Sequence, residues 1–262
     1  MEQTEKSALE KTGIVYCRNC ETRFTGKFCS HCGQKYDDRE IDFRFFWHDV
    51  QHGLLHFDKG ILFTLKELLT RPGYTIRDYI DGKRVRHFKP LSFLIVLGGI
   101  YGIMSHYFDE KITLAITTGS DIKEFFDPAV IAEWIRSHYA IYSLALVPLY
   151  SLCTFLAFRK EKYNYFHHII INSYISGISI FVSFVLFPVI FLFKKFSIDI
   201  TDVTDLTGTA LTVWTLMQLF QHLKKKTRIK KIFLSYVYLW ILFLLLIAAL
   251  FGILSFWVKY RH

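Results

Sequence analysis

Four cysteines near the start of the chain form the pattern with the clearest chemistry. They are arranged as two C-x-x-C pairs separated by eight residues: Cys17, Cys20, Cys29 and Cys32. Two such pairs at this spacing are typical of tetrahedral coordination of zinc by thiolates. Four cysteine ligands close the coordination shell, so we expect the zinc ion to be structural rather than catalytic. A redox-active dithiol is the alternative.

Three histidines form a second candidate group of metal ligands. They recur every four residues, which places them on one face of a helix: His48, His52 and His56. Two histidines at this spacing can share a metal ion, but no carboxylate partner lies on the same stripe. Contact of these side chains with the membrane interface is the alternative interpretation.

A third candidate site combines neutral polar residues at the expected cytoplasmic ends of the membrane helices. Their side chains could form one shallow pocket for a ligand or a proton: His167, His168, Asn172, Gln218 and His222. The alternative is that they contact only water and headgroups. The sequence has no G-x-S-x-G, H-E-x-x-H or phosphate-loop motif, so we assign no catalytic residue. An enzyme is an alternative only if substrate chemistry occurs at this histidine-rich interface.

The composition of the chain is that of a membrane protein, so membrane helices must position these residues. Hydrophobic residues make up 52% of the 262 residues, and only 21% are charged. The apolar residues form runs long enough to cross a bilayer as helices. We predict transmembrane helices at about residues 91–108, 138–158, 168–193, 206–223 and 232–258. The first residues are polar and lack the apolar core of a secretory signal, so insertion is expected to begin at an internal helix.

Basic residues predict the orientation of these helices. Four cations directly precede the first helix: Lys83, Arg84, Arg86 and Lys89. The positive-inside rule places them in the cytoplasm, where each is attracted to anionic headgroups by roughly 1 kcal/mol. The fourth helix is diluted by threonines, but without it six cations in residues 224–231 would lie outside. Five helices place the N-terminus in the cytoplasm and the C-terminus outside, with the acidic segment 109–137 as an outer loop.

The predicted fold class is an all-α polytopic membrane protein with about five transmembrane helices, a small N-terminal zinc ribbon and interfacial amphipathic helices. We divide the chain into a disordered lead (1–13), the zinc ribbon (14–36), the cytoplasmic interfacial helices with the basic cluster (42–90) and the transmembrane domain (91–258). The interfacial helices are expected to turn at Pro72 and Gly73 and to end in a left-handed cap at Gly82. They could lie among acyl chains or pack against the protein's own helix ends.

The order of these motifs resembles a known family. A CxxC…CxxCGQ head precedes HFDKGILFTLKELLTRPG and IRDYIDGKRVRHFKPLSFL. Over about residues 17–100 this order is similar to an uncharacterised bacterial membrane family, catalogued as a domain of unknown function with the series number three-six-six-seven. The resemblance implies a zinc-ribbon head on a multi-span body in the bacterial inner membrane. It implies no reaction.

Two functions are compatible with these features; the sequence favours the first, and the second is the alternative. The first is a non-enzymatic membrane protein whose zinc-stabilised cytoplasmic platform binds a protein partner or anionic lipid. The second is a small transporter, channel or lipid-handling protein with a path between the third and fourth helices. No charged residue lies in the middle of a predicted span, which disfavours a proton-coupled transporter.

Other partners are less well supported by the sequence. Nucleic acid binding is disfavoured because the ribbon offers few cations, chiefly Arg18, Arg23 and Lys27. Gly98 and Gly102 form a G-x-x-x-G face on the first helix, and serines form a similar small-residue stripe on the third. Such faces suit close helix packing within one chain, and a homo-oligomer is the alternative.

Overall fold

The computed structural model describes residues 14–36, 41–42, 44, 60–107, 128–192 and 200–261. Within these residues a two-stranded hairpin forms the head: β1 (Ile14–Tyr16) pairs antiparallel with β2 (Arg23–Thr25). The rest is helical: α1 (Gly60–Thr70), α2 (Pro72–Ile80), α3 (Pro90–Tyr107), α4 (Pro128–Ser137), α5 (Tyr139–Phe158), α6 (Tyr165–Leu192), α7 (Ile200–Leu219) and α8 (Lys225–Arg261).

The helices pack around α6. Helices α3, α5 and α7 all contact α6, while α8 packs against α5 and α7. The buried face of α6 carries large apolar side chains, among them Ile170, Tyr174 and Ile178. The short helix α2 lies across the last turns of α7 and also contacts α6. Helix α6 therefore holds both the long helices and the short ones in place.

Among the residues that the structure describes, three helices are long and apolar enough to cross a membrane: Tyr139–Phe158, Tyr165–Pro188 and Lys225–Gly252. They coincide with the second, third and fifth predicted spans. The segment Pro90–Ser105 is a shorter apolar helix. Only 11% of the apolar stretch of α8 is buried inside the protein. Large side chains on this helix, such as Trp240 and Leu244, are exposed. This mostly helical architecture is that of a membrane protein.

The structure differs from the sequence prediction at two helix starts. Residues 128–137, predicted as part of an outer loop, form α4, so that prediction is wrong there; residues 109–127 lie outside the described residues. The loop was inferred from charge balance alone, although Pro128 can begin a helix. Likewise Pro72 and Gly73 do not form a separate turn but open α2, because proline at the first helical position lacks only an amide that has no helical partner.

Helix α2 ends as predicted. Gly82 has a φ of 107°, its N–H donates to Tyr79 O at 3.2 Å, and Lys83 N–H donates to Asp78 O at 2.8 Å. These two bonds form a Schellman cap, which glycine favours because it tolerates a positive φ. The cap turns the chain toward α3.

The connection from α2 to α3 is fastened through the peptide groups of Phe88. Its N–H donates to Thr64 Oγ1 of α1 at 2.8 Å, and its carbonyl accepts from the Tyr174 hydroxyl of α6 at 2.6 Å. All of these groups are buried, so the bonds are made without competition from water. The entry to α3 is thus fixed relative to α1 and α6.

Glycines allow the closest helix contacts. An added Cβ at Gly73 would lie 2.5 Å from Gln218 Cβ and 2.5 Å from Leu219 N of α7. An added Cβ at Gly98 would lie 3.0 Å from Ala140 Cα, so this part of the predicted G-x-x-x-G face does pack within the chain. In contrast, Gly99 has no atom within 4 Å of such a Cβ.

We expect Gly73→Ala to destabilise the protein, since the methyl group would push α2 away from the end of α7. Overpacking of this kind typically costs about 1–3 kcal/mol. The change is measured as a lower thermal transition temperature of the purified protein in detergent. Gly99→Ala is the matched control and should be neutral or slightly stabilising, because alanine favours helix. Equal transition temperatures for the two variants would contradict the close contact.

Candidate functional site

The four cysteines of the head lie together. Their sulfur atoms are all within 4.8 Å of one another, with Cys17 Sγ 3.4 Å from Cys32 Sγ and Cys20 Sγ 3.5 Å from Cys29 Sγ. Four sulfurs bound to zinc at about 2.3 Å would be separated by about 3.8 Å, close to these distances. Sulfurs this far apart are not disulfides. The cluster can hold a metal ion.

The local backbone is shaped by tight turns. Gly26 and Gly33 have φ values of 95° and 74°, which is the role expected of glycines beside C-x-x-C pairs. The N–H groups of Glu21 and Gly33 donate to the carbonyls of Cys17 and Cys29 at 2.8 and 2.9 Å. These bonds bring the second cysteine of each pair close to the first.

The cluster's hydrogen bonds favour a thiolate at one of its members. The Thr22 hydroxyl next to Cys20 lowers the pKa of that thiol to about 5. Burial raises the pKa of Cys17 to about 11. A bound cation would favour deprotonation of all four thiols, because only thiolates are good metal ligands.

Gln34, two residues after the last cysteine, joins the head to the helical body. Its Nε2 donates to Gly82 O at 2.8 Å, and its Oε1 accepts from the N–H groups of Arg84 and Val85 at 3.0 and 3.2 Å. Arg18 lies on the same turn, because an added Cβ at Gly82 would be 2.6 Å from Arg18 Cδ. One amide side chain therefore clamps the tetracysteine cluster onto the end of α2.

The four cations predicted to bind headgroups lie in the connection between α2 and α3. Lys83 Nζ is 3.0 Å from Asp78 Oδ1, the Arg84 guanidinium lies over the Tyr79 ring, and the Arg86 guanidinium lies over the Phe63 ring. Lys83 and Arg86 are exposed, whereas Arg84 and Lys89 are half-buried. These cations have partners within the chain, and headgroup contact stays a prediction.

The histidine stripe of His48, His52 and His56 lies outside the described residues. The second metal site that the stripe could form therefore stays a prediction.

Two residues of the predicted polar pocket lie together on α6. His168 Nδ1 is 3.0 Å from Thr154 Oγ1, and Asn172 Nδ2 donates to the same oxygen at 2.9 Å. Both side chains are buried between α5 and α6 rather than in a shallow surface pocket. His167, one residue earlier, instead accepts a hydrogen bond at Nδ1 from the N–H of Asn164 at 3.0 Å.

The other two members of that predicted pocket make different contacts. Gln218 Oε1 accepts from the N–H of Gly73 at 3.1 Å, which ties α7 to α2. His222 Nε2 lies 3.0 Å from Glu161 Oε2, at the surface. The structure therefore divides the five residues among separate hydrogen-bonded groups.

Guanidinium groups donate hydrogen bonds to the backbone carbonyls at the end of α7. Arg77 of α2 donates to the carbonyls of Gln218 and Leu219, and Arg228 of α8 donates to the carbonyl of Met217 at 2.6 Å. The last carbonyls of a helix have no partner within it and carry partial negative charge, so cations there are stabilising. The end of α7 is thereby held by α2 and α8 together.

Glu161, in the turn between α5 and α6, forms an ion pair with Lys231 of α8 and also contacts His222. The carboxylate is 12% exposed and Lys231 is 17% exposed. Burial alone would raise the pKa of Glu161, but the hydrogen bonds from Lys231 and His222 outweigh it and hold the pKa below its ordinary value. Sequence analysis missed this pair because its members are 70 residues apart.

A cavity of about 370 Å³ lies between the long helices. Most of its lining residues bear hydroxyl groups. The described lining comprises Tyr101, Tyr139, Tyr142, Ser143, Leu146, Tyr150, Cys153, Thr154, Asn172, Ile175, Ser176, Ser179, Ile180, Ser183, Asp205, Gly208, Thr209, Thr212, Ser235, Tyr236 and Leu239. These residues come from α3, α5, α6, α7 and α8.

The cavity is long and ends near the hydrogen-bonded pair on α6. Its lining on α5 extends from Tyr139 to Thr154, which corresponds to about 22 Å along a helix. At the Thr154 end lie His168 and Asn172, and one turn further Phe158 stacks on Phe220 at 3.9 Å between ring centroids. At the other end the cavity is lined by Asp205, which is exposed.

The fold and these sites define a class: a mostly helical membrane protein with a tetracysteine head and an interhelical cavity lined largely by hydroxyl-bearing residues. Residues 58–102 match the family described as Protein of unknown function (DUF3667). Over this segment, the match confirms the family resemblance found in the motifs. The matching segment contains α1, α2, the Gly82 cap and most of α3. No curated protein and no solved structure matches the chain.

We expect the full-length protein to be purified with one metal ion per chain and to lose it on Cys17→Ser. A hydroxyl group is a poor replacement for a buried thiolate, and three remaining ligands hold the ion more weakly. Metal content is measured by inductively coupled plasma mass spectrometry. Cys153→Ser, remote from the cluster, should retain the ion. Full occupancy in Cys17→Ser would contradict coordination by the cluster.

We expect Glu161→Gln to lower the thermal transition temperature at neutral pH. The folded-state pKa of Glu161 is depressed, so its contribution is present above the unfolded-state pKa and is lost as pH falls through the folded-state pKa. The difference from wild type should therefore disappear in acid. Lys160→Gln, at an exposed neighbour, is the control and should have little effect. A difference that stays constant from neutral pH to below the ordinary glutamate range would contradict the ion pair's role.

Proposed function

We propose that this chain is an integral membrane carrier for a small polar solute, which binds in the cavity between α5, α6, α7 and α8. The observation that carries the proposal is the hydroxyl-rich lining of a cavity of about 370 Å³ among helices with apolar outer faces. Ligand pockets typically have volumes of about 300–1,000 Å³. A path between the third and fourth predicted helices is the alternative function that the sequence allows, and this cavity supports it.

The polarity of the lining supports binding rather than simple packing. Polar groups inside a bilayer need partners from the protein, from water or from a ligand. The side chain of Ser176 lines the cavity together with Tyr150 and Thr209, so hydroxyls approach it from three helices. Such a cavity favours water or a polar solute, whereas an apolar cavity of this size would stay dry.

The contacts at the Thr154 end of the cavity support a carrier that is closed on the side of the head. The Phe158 and Phe220 rings are fully buried beyond Thr154, and they lie beside Glu161 and Lys231, which join three helices. The Lys231 ammonium is 5.5 Å from the centre of the Phe158 ring. Separation of α7 and α8 from α5 would break these contacts and open the cavity toward the head.

The proposed topology has five spans, with the tetracysteine head and the basic segments in the cytoplasm and the C-terminus outside. Helices α3 and α7 have 18 and 20 residues, which is about 27 and 30 Å, and a bilayer core is about 30 Å thick. The pair between Lys231 and Glu161, and the approach of Lys162 to Asp81 at 3.8 Å, support one common side for these segments. We place the protein in the bacterial inner membrane.

In this proposal zinc occupies the tetracysteine cluster and stabilises the head. The clamp through Gln34 then holds α2 against α7, close to the proposed closed end. The metal has no part in solute binding. Its function is to provide the folding energy that a segment of this size lacks.

Cysteine accessibility tests the water-filled path. In a Cys153→Ala background, Ser176→Cys should react with a small hydrophilic methanethiosulfonate added to vesicles, because its thiol would face water in the cavity. Leu244→Cys on the exposed apolar face of α8 is the control and should react slowly, because thiols in lipid stay protonated. Reaction of Ser176→Cys that is no faster than that of the control would contradict the proposal.

A cytoplasmic platform is the second candidate function, and the exposure of Lys83 and Arg86 beside the start of α3 favours it. Their neighbours Asp78 and Phe63 hold both cations in place, so a headgroup or an acidic partner would meet ordered charges. Retention of phosphatidylglycerol by the purified protein, measured by native mass spectrometry, should fall in Lys83→Gln/Arg86→Gln but not in Lys27→Gln/Lys35→Gln. Equal retention would exclude the lipid-binding form of this function.

A further inference from the structure

Aromatic rings form a large part of the cavity wall. Five tyrosines line it: Tyr101, Tyr139, Tyr142, Tyr150 and Tyr236. The ring centroids of Tyr101 and Tyr139 are 4.7 Å apart, and those of Tyr139 and Tyr142 are 6.2 Å apart. Three of the rings therefore form a continuous aromatic cluster at the Asp205 end of the cavity. The faces of such rings carry negative potential and attract cations.

The charged part of the lining is negative, as are the faces of the aromatic rings. Asp205 is the one acidic side chain among the described lining residues, which include no glutamate, lysine, arginine or histidine. A carboxylate near the start of α7 would repel an anionic solute at this end of the cavity and attract a cation.

The serine hydroxyl groups of the lining also offer hydrogen-bond acceptors to a solute. A serine hydroxyl has one hydrogen to donate, and its oxygen can accept two hydrogen bonds. The hydroxyl hydrogens of Ser143, Ser179 and Ser235 are donated to backbone carbonyls of their own helices, at 3.0, 2.8 and 2.7 Å. What these side chains offer to a solute is therefore oxygen lone pairs. A solute that carries donors or positive charge is complementary to this lining.

We infer that the solute is a small organic cation, with an ammonium group held among Tyr101, Tyr139 and Tyr142 and neutralised by Asp205. This inference rests on the proposed function and names its ligand class. An anion would meet a carboxylate and the negative faces of the rings. A neutral polyol could bond to the hydroxyls but would gain nothing from Asp205.

Choline and its uncharged carbon analogue 3,3-dimethylbutan-1-ol test the inference, because the two have nearly the same shape and differ in charge. Binding of radiolabelled choline to the full-length protein in lipid nanodiscs is measured by equilibrium dialysis. Saturable choline binding is expected, with the analogue displacing it only at concentrations at least about tenfold higher. Displacement by the analogue at concentrations equal to those of unlabelled choline would overturn the inference.

Variants separate the aromatic and carboxylate contributions. Tyr142→Phe keeps the ring and should bind choline nearly as well as wild type, whereas Tyr142→Leu and Asp205→Asn should each weaken binding about tenfold. Glu21→Gln in the head is the charge control and should bind normally. Unchanged thermal transition temperatures confirm that each variant is folded. Equal binding by Tyr142→Phe and Tyr142→Leu would overturn the assignment of the ring cluster.

The outcomes separate this inference from the carrier proposal. If Ser176→Cys is accessible to water while choline does not bind, the organic-cation inference is wrong and the polar path stands. If neither is observed, both are wrong.

Discussion

The need to satisfy polar groups among lipid-facing helices is the constraint on which the rest of the structure depends. Lipid offers no hydrogen-bond partner, so each polar side chain between these helices must find one inside the protein or in enclosed water. The short side chains do so locally: Ser143 and Ser179, which line the cavity, donate to carbonyls about one turn earlier on their own helices. These local bonds allow a polar wall to exist without a charged partner. They leave the oxygen atoms of the wall available to whatever fills the cavity.

The tetracysteine head is linked to the end of α7 through residues 58–102, the segment that matches the family model. Gln34 fixes the tetracysteine cluster to the cap of α2, and α2 in turn packs so closely on α7 that Gly73 leaves no room for a methyl group. Arg77 adds bonds from α2 to the last carbonyls of α7. The segment that matches the family model therefore joins the tetracysteine head to the helix that carries Asp205 at its far end.

Local patterns in the sequence predicted the features that depend on neighbouring residues. The tetracysteine cluster, the cap at Gly82 and three membrane-length helices follow from short spacings and from apolar runs. The pair between Glu161 and Lys231 depends on the packing of α8 against α5, which no local pattern encodes. The predicted fourth span begins at residue 206, where the apolar run starts, yet Asp205 belongs to α7. The path between the third and fourth helices is only one of two alternatives at the level of sequence, since serines and threonines at helical spacing suit tight packing and open lining equally.

In our proposal, water or solute fills the cavity between α5, α6, α7 and α8. Hydroxyl-radical footprinting by X-ray radiolysis tests it directly, because radicals form from water and modify side chains that water reaches. In the full-length protein in lipid nanodiscs, Tyr150 in the cavity should be oxidised readily, while Trp240 on the lipid-facing side of α8 should be protected. Protection of Tyr150 to the same degree as Trp240 would mean that the interior is dry, and it would contradict the account.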